Sequence, residues 1–294
     1  MDTSRLKLFI KLAETCHFQR AAELCHVSPP TLTRNIQQLE EALNCKLFER
    51  SNRSVLLTRA GESFLPEARE LLRHWETLKE SLASQTQELS GSISIYCSVT
   101  ASYSFLYDIL AEFRRAHPGI AITLHTGDPA LAMQRVVNGE EDIAITARPE
   151  TLPGNLEFSR FSSSPLIFIA PQNDQLFFEN KKDNKQVLQD VPMIIPERGL
   201  ARERLNSWFR KMKITPQLYA QVSGNEAIVS MVSLGFGIGL VPKIVVDNSP
   251  LAKKVKAFSI QPDLKPYDVG VCVLSRRLRS PLVHAFWQQL KNRI

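Results

Sequence analysis

A chain of 294 residues exceeds one typical domain and divides into two or three. Its 44% hydrophobic content is that of a globular protein with a sizeable core, which excludes a disordered or fibrous chain. Thirty-six Lys and Arg against thirty Asp and Glu leave +6, a weak pull toward an anionic partner.

In chain order, Leu6, Phe9, Ile10, Leu12 and Ala13 form a helical stripe that covers a following hairpin of two helices. Phe18 to Leu24 is the first, with Ala21 and Ala22 small enough for close packing. His26-Val27-Ser28 breaks the pattern, and Ser28 is an N-cap with Pro29 at the first helical position. The second helix buries Leu32, Ile36, Leu39 and Leu43, which leaves Pro30, Thr31, Thr33, Arg34, Gln37 and Gln38 exposed near its start. In a helix-turn-helix this is the end that enters the major groove, with Ser28 at its tip. Arg donates in a fork to guanine, Gln pairs with adenine, and Thr reaches bases or phosphates. An ordinary hairpin with a solvated polar face has the same pattern, so double-stranded DNA is not fixed as the partner by the hairpin alone.

Charge distribution adds little. Residues 1–62 hold nine Lys or Arg against seven Asp or Glu, +2, whereas residues 163–266 hold fourteen against nine, +5. The cluster Arg50, Arg53 and Arg59 is better support. Leu47-Phe48 leads into an extended segment, Glu49 to Thr58, where two short strands around Ser51–Arg53 would form a wing. Arg50 and Arg53 would then meet phosphates or a minor groove; a surface hairpin with idle charges fits the segment equally well.

Thr58-Arg59-Ala60-Gly61 opens a helix running to about residue 88. Phe64, Ala68, Leu71, Trp75, Leu78 and Leu82 form an a/d seam along it, which pairing with a second copy would bury; a helix packed only on its own chain is the alternative. Ser90-Gly91-Ser92 is a hinge. Beyond it the rhythm is βαβ: strands at Ile93–Val99, Ile120–Leu124 and Asp142–Ala147, with a helix at Phe105–Phe113. A second set runs through strands at Pro165–Ala170, Met193–Pro196 and Leu218–Val222, with helices at Ala201–Met212 and Asn225–Leu234. A late strand at Tyr267–Leu274 and a helix at Pro281–Lys291 close the chain. The alternation predicts parallel, doubly wound sheets in two lobes with a crevice between them.

The residues Phe18-Gln19-Arg20-Ala21-Ala22, Val27-Ser28-Pro29, Leu32-Thr33-Arg34, Leu39-Glu40, Leu47-Phe48-Glu49-Arg50 and Leu57-Thr58-Arg59-Ala60-Gly61 together resemble the signature of the LysR-type transcriptional regulators, and the resemblance covers essentially the whole chain. It implies an α plus α/β architecture: a winged helix-turn-helix over 1–58, a linker helix over 59–89 for dimerisation, and a two-lobed effector domain over 90–294 like periplasmic binding proteins. The first lobe would hold residues 92–162 plus 267–294 and the second 163–266, with Tyr267–Leu274 returning to the first lobe. It also implies an operator DNA partner, a homotetramer built as a dimer of dimers, and contact with RNA polymerase. Cys97–Ser104, Thr126-Gly127-Asp128, Pro149–Gly154 and Glu226–Gly235 resemble most closely the branch that activates isoleucine and valine synthesis. That branch responds to acetolactate or acetohydroxybutyrate, so the resemblance implies such an inducer and no other cofactor; a regulator of another pathway with a different small carboxylate remains the alternative.

The residues permit such a ligand. Ser98, Thr100 and Ser102 lie between the first strand and its helix, Thr126 and Gly127 follow the second strand, and Thr146 ends the third. From the other lobe, Arg198 precedes one helix, where it would clamp a carboxylate or, with Arg202 and Arg204, form a solvated basic face, and Asn225 opens another. Taken singly, each Ser or Thr is equally a helix cap. Catalysis has no motif: Gly235-Phe-Gly-Ile-Gly239 lacks dinucleotide-loop spacing and reads as turn and packing, and none of the six His lies in an HExxH pattern. Cys16, Cys25, Cys45, Cys97 and Cys272 form no CxxC pair, against a zinc site or disulfide framework. With no signal-peptide pattern after Met1 and no apolar run of roughly 18 residues, a cytoplasmic protein without a membrane partner is expected.

Overall fold

The computed structural model describes residues 3–50, 55–83, 89–173, 184–258, 260–261 and 263–291. The chain divides into two compact units, one of residues 1–87 and the other comprising the bulk of residues 88–294.

In the first unit, α1 (Thr3–Thr15), α2 (Phe18–Leu24) and α3 (Pro29–Leu43) close around Phe9, Leu12, Ala21, Leu32 and Ile36, all without solvent contact. Ser28 accepts the Thr31 N–H as the N-cap of α3. His17 caps α2 in the same manner, its Nδ1 accepting the Arg20 N–H. Leu43, expected inside, is 40% exposed. Asn44 ends α3 in the left-handed conformation and the chain turns back there, leaving Leu43 at the surface. The buried residue of that turn is instead Glu40, 3% exposed, whose Oε1 accepts the N–H groups of Leu47 at 2.9 Å and Phe48 at 3.2 Å. Lys46 Nζ adds an ion pair at 3.1 Å. This carboxylate fastens the start of the wing, β1 (Phe48–Arg50) paired antiparallel with β2 (Val55–Leu57), to the recognition helix.

The long helix α4 spans Arg59–Ala83, about 37 Å at 1.5 Å per residue. Thr58 caps it by accepting the Gly61 N–H at 3.0 Å, and a Cβ on Gly61 would stand 2.2 Å from the Leu47 carbonyl oxygen. Glycine is required there by that close approach. The first turns lie over α1, which changes the reading of the seam. Phe64 packs on Phe9 with tilted rings 5.2 Å apart and Ala68 has no solvent contact, so both belong to the core of their own unit. The remaining seam residues, Leu71, Trp75, Leu78 and Leu82, are 44% to 70% exposed.

The second unit holds two five-stranded sheets. In chain order the first lobe has β3 (Gly91–Cys97), α5 (Val99–Tyr103), α6 (Phe105–Ala116), β4 (Ile120–Thr126), α7 (Ala132–Val137), β5 (Ile143–Ala147) and β6 (Leu156–Ser164). The second lobe has β7 (Leu166–Pro171), α8 (Asn184–Asp190), β8 (Met193–Pro196), α9 (Leu200–Met212), β9 (Leu218–Val222), α10 (Asn225–Ser233), β10 (Ile238–Pro242), α11 (Lys243–Asp247) and β11 (Val255–Phe258). The chain then returns through β12 (Tyr267–Leu274) and α12 (Pro281–Lys291). Strand orders are β4-β3-β5-β12-β6 and β11-β7-β10-β8-β9.

The sheets are mixed, not wholly parallel. β12 runs antiparallel to β5 and β6, and β7 antiparallel to β10 and β11. These are the strands that carry the chain between lobes, with β6 passing through Pro165 into β7 and β12 returning. A direct passage needs no crossover helix, so nothing imposes the parallel direction. Val99, expected at the end of a strand, opens α5 and is 44% exposed. Gly237 and Gly239 serve packing: a Cβ on either would clash, with the Pro192 carbonyl oxygen at 2.1 Å or the Ile228 side chain at 2.4 Å.

Burial would raise the Glu40 pKa, but the Leu47 N–H, the Lys46 ammonium and the Phe48 N–H outweigh it and hold the carboxyl below its usual range. A lowered folded pKa stabilises above the unfolded value of 4.5 and is lost as pH falls through the folded one. Glu40→Ala, which strands two buried N–H donors, is expected to cost about 1–3 kcal/mol in urea unfolding at pH 7. The variant should also lose less stability than the unaltered protein between pH 7 and about pH 4; a variant as stable as the unaltered protein at both would contradict this role.

Candidate functional site

Two surfaces carry functional chemistry, one in each unit. On α3, Ser28, Pro30, Thr31, Arg34 and Gln37 are exposed while Thr33 and Gln38 are half-buried. Local structure uses the hydroxyls: Thr31 Oγ1 is 2.7 Å from Ser28 Oγ, and Thr33 Oγ1 donates to the Pro29 carbonyl at 3.0 Å. The Arg34 and Gln37 side chains are left pointing outward from a rigid, capped helix. Arg53 lies outside the described residues, and of Arg50 only the backbone is described.

In the second unit the crevice between lobes encloses about 110 Å³, against the roughly 10–15 Å³ that admits one water. It therefore has room for a small organic molecule. Ser98, Thr100 and Thr146 line it from the first lobe and Arg198 and Asn225 from the second, five of the eight residues expected. Ser102, Thr126 and Gly127 do not line it. The α5 turn directs Ser102 Oγ back onto the Val99 carbonyl at 2.6 Å. Thr126 is exposed at the end of β4, the edge strand, and Gly127 lies under the Tyr96 hydroxyl. Ile145, Val222, Ile244 and Val269 supply apolar wall.

Two carboxylates dominate the polar geometry. Asp128 Oδ2 accepts from Arg198 Nε at 3.1 Å and from Ser223 Oγ at 2.8 Å, so it ties the first lobe to the second. Burial would raise the Asp128 pKa, but the Ala130 N–H, the Ser223 hydroxyl and the Arg198 guanidinium hold it below the usual carboxylate range. Arg198, expected to clamp a ligand, already has this anion. In the other direction, Glu226 Oε1 on α10 accepts the Thr100 N–H at 2.9 Å and the Thr100 hydroxyl at 2.6 Å.

The sequence signal at Glu226 points elsewhere. Ser223 and Glu226 are spaced as a capping box, which would turn both side chains onto α10 itself. Instead α10 has Gly224, at φ +83°, as its N-cap with no side-chain cap, and both box residues reach across the crevice. α9 likewise starts from a glycine, Gly199, without a side-chain cap. The crevice thus faces two helix N-termini with free N–H groups, a favourable setting for an anion.

Burial pushes the Cys97 and Cys272 thiols up to about 12, so neither supplies a thiolate. Among the described residues no three His, Cys, Asp or Glu are grouped to hold a metal ion. Nor is any described helix long and apolar enough to cross a membrane.

Comparison with known proteins agrees with this division. Residues 3–62 match the bacterial regulatory helix-turn-helix model of the lysR family, and residues 86–294 match the LysR substrate binding domain. The HTH-type transcriptional activator IlvY of Salmonella typhimurium is 45% identical over 295 residues, covering 99% of this chain and all of the relative. The IlvY regulator of Escherichia coli K12 is 44% identical over 99% of both chains, and IlvY of Haemophilus influenzae is 39% identical over 99% of this chain and all of its own. Among solved structures, a full-length OxyR variant of Pseudomonas aeruginosa superposes with a TM-score of 0.72 over 99% of this chain and 95% of its own, at 21% identity. Full-length CbnR complexed with its target DNA gives 0.67 over the whole of both chains, also at 21% identity. At such identities the structures show the fold alone.

The Asp128–Arg198 pair is half open to water, Arg198 being 53% exposed. A double-mutant cycle with Asp128→Ala and Arg198→Ala, read by urea unfolding through Trp208 and Trp287, should give a coupling of only about 0.2–1 kcal/mol. A coupling of several kcal/mol would show a fixed strut where we expect a clasp that a ligand can open.

Proposed function

The chain belongs to the LysR family of bacterial transcriptional regulators, and from that premise we propose that it activates a gene of isoleucine and valine synthesis in response to acetolactate or acetohydroxybutyrate. The observation that carries this reading is the 39–45% identity to IlvY regulators over 99% of the chain, crevice included.

The geometry supports a small hydroxy-keto acid. Thr100 and Arg198 offer donors for its carboxylate; Ser98, Thr146 and Asn225 suit its hydroxyl and ketone; Ile145, Val222 and Val269 suit its methyl groups. In the first unit, Arg34 and Gln37 read bases in the major groove while Ser28, Thr31 and the wing arginines Arg50 and Arg53 hold the backbone. The exposed run Leu71, Trp75, Leu78 and Leu82 on α4 is the surface for a second copy, and two such dimers form the tetramer. The protein acts in the cytoplasm, on operator DNA, and in concert with RNA polymerase. Effector binding alters the angle between lobes, and through it DNA bending, more than operator affinity.

Titrating the purified full-length protein calorimetrically with acetolactate, with pyruvate and 2-ketoisovalerate as controls, should give selective, saturable binding. Thr146→Val should weaken it about three- to tenfold, the effect of one neutral hydrogen bond. Binding of a different small carboxylate in place of acetolactate would move the regulator to another pathway. For the DNA surface, Arg34→Ala should weaken operator binding about tenfold or more and relax base choice. An equal loss on random DNA would reduce Arg34 to a phosphate contact.

A further inference from the structure

Thr100, one of the donors offered to the effector, already has a carboxylate on it. Its N–H and hydroxyl converge at 2.9 and 2.6 Å on a single oxygen of Glu226, and Thr100 is only 2% exposed. Distances in this range are those of charge-assisted hydrogen bonds. We propose that Glu226 is a built-in competitor for the effector's carboxylate: it holds the carboxylate position while the crevice is empty, and the effector must displace it to bind. The proposal rests on the reading of the crevice as the effector site, and deepens it by naming the residue that sets the affinity threshold.

Three observations converge on this. Donor geometry comes first, because a buried N–H and hydroxyl aimed at one point satisfy one carboxylate oxygen and cannot serve two. The second is charge. Arg198 at the crevice is matched by Asp128, so Glu226 leaves the local balance at one cation against two anions. An anion that added to this set would meet repulsion from both carboxylates, whereas one that replaced Glu226 would leave the balance unchanged. The third is the departure from the capping box, since Glu226 forgoes the cap of α10 to reach the other lobe. Glu226 is half-buried and has a path to solvent once released. Exchange would turn a lobe-to-lobe bond into a lobe-to-ligand bond, and so couple occupancy to lobe geometry.

Acetate is a suitable probe because it carries the carboxylate and little else. In full-length protein labelled at threonine methyl groups, the Thr100 signal is identified by its loss in Thr100→Ser. Acetate should shift that signal in Glu226→Ala at about one-tenth or less of the concentration needed in the unaltered protein. Glu226→Asp keeps the charge but is one methylene too short to reach Thr100, so it should respond at less acetate than the unaltered protein and at more than Glu226→Ala. Glu226→Gln, isosteric and available should the shorter variants fail to fold, should fall between. Equal acetate response in all proteins, no response in any, or a Glu226→Asp response matching the unaltered protein would each overturn the competitor. Acetolactate titrations run alongside separate the two readings. If acetolactate binds none of these proteins while acetate ranks them as expected, the effector identity falls and the competitor stands. If acetolactate binds the unaltered protein and the Glu226 variants alike, the effector stands and the competitor falls.

Discussion

Two carboxylates reaching in opposite directions hold the crevice of the second unit together. Asp128 extends from the first lobe to Arg198 and Ser223, and Glu226 extends from the second lobe to Thr100. An apolar seam would close the lobes with no regard to what lies between them, because hydrophobic burial is non-directional. Charged hydrogen bonds are directional and individually replaceable, and a ligand offering the same functional group can take the place of either partner. The chemistry that closes the empty crevice is therefore the chemistry by which a small acid can be sensed.

The first unit solves a different problem, that of presenting a rigid edge. Ser28 and Pro29 fix where α3 begins, and Thr31 and Thr33 spend their hydroxyls on the helix. Glu40, buried at the far end of the same helix, binds the backbone of Leu47 and Phe48 and so orients the wing relative to α3. Base reading from α3, as proposed, would depend on this, since an Arg fork contributes specificity only if its helix is held still. The apolar face of α4 is divided between tasks. Its first turns complete the core through Phe64 and Ala68, and its later turns leave Leu71, Trp75 and Leu78 uncovered.

Much of this was legible in the residues. Helix-turn-helix bounds, the wing, and the elements at Met193–Pro196, Leu218–Val222 and Tyr267–Leu274 carry clear periodicity and punctuation, and the structure has them at those positions. Strand directions were not legible. βαβ rhythm predicts parallel neighbours, whereas β6, β7 and β12 are antiparallel because they cross between lobes without a helix. The short strand β10 is a brief apolar run with no period of its own, and β11, four residues interrupted by Lys256, is too short to show one. Within the crevice, the hydroxyls at Ser98, Thr100 and Thr146 followed from their places at strand ends. Glu226 did not, because its spacing from Ser223 mimics a local cap, and only the long-range fold shows both side chains turned to the other lobe. Ser102, Thr126 and Gly127 failed for a related reason: sequence adjacency to a strand end does not specify which side of the turn faces the ligand.

The most direct test is a crystal structure of the full-length protein with acetolactate bound. The ligand carboxylate is expected within hydrogen-bond distance of the Thr100 N–H and hydroxyl, with the Glu226 side chain withdrawn from Thr100. Acetolactate bound elsewhere in the crevice while Glu226 still held Thr100 would contradict the exchange.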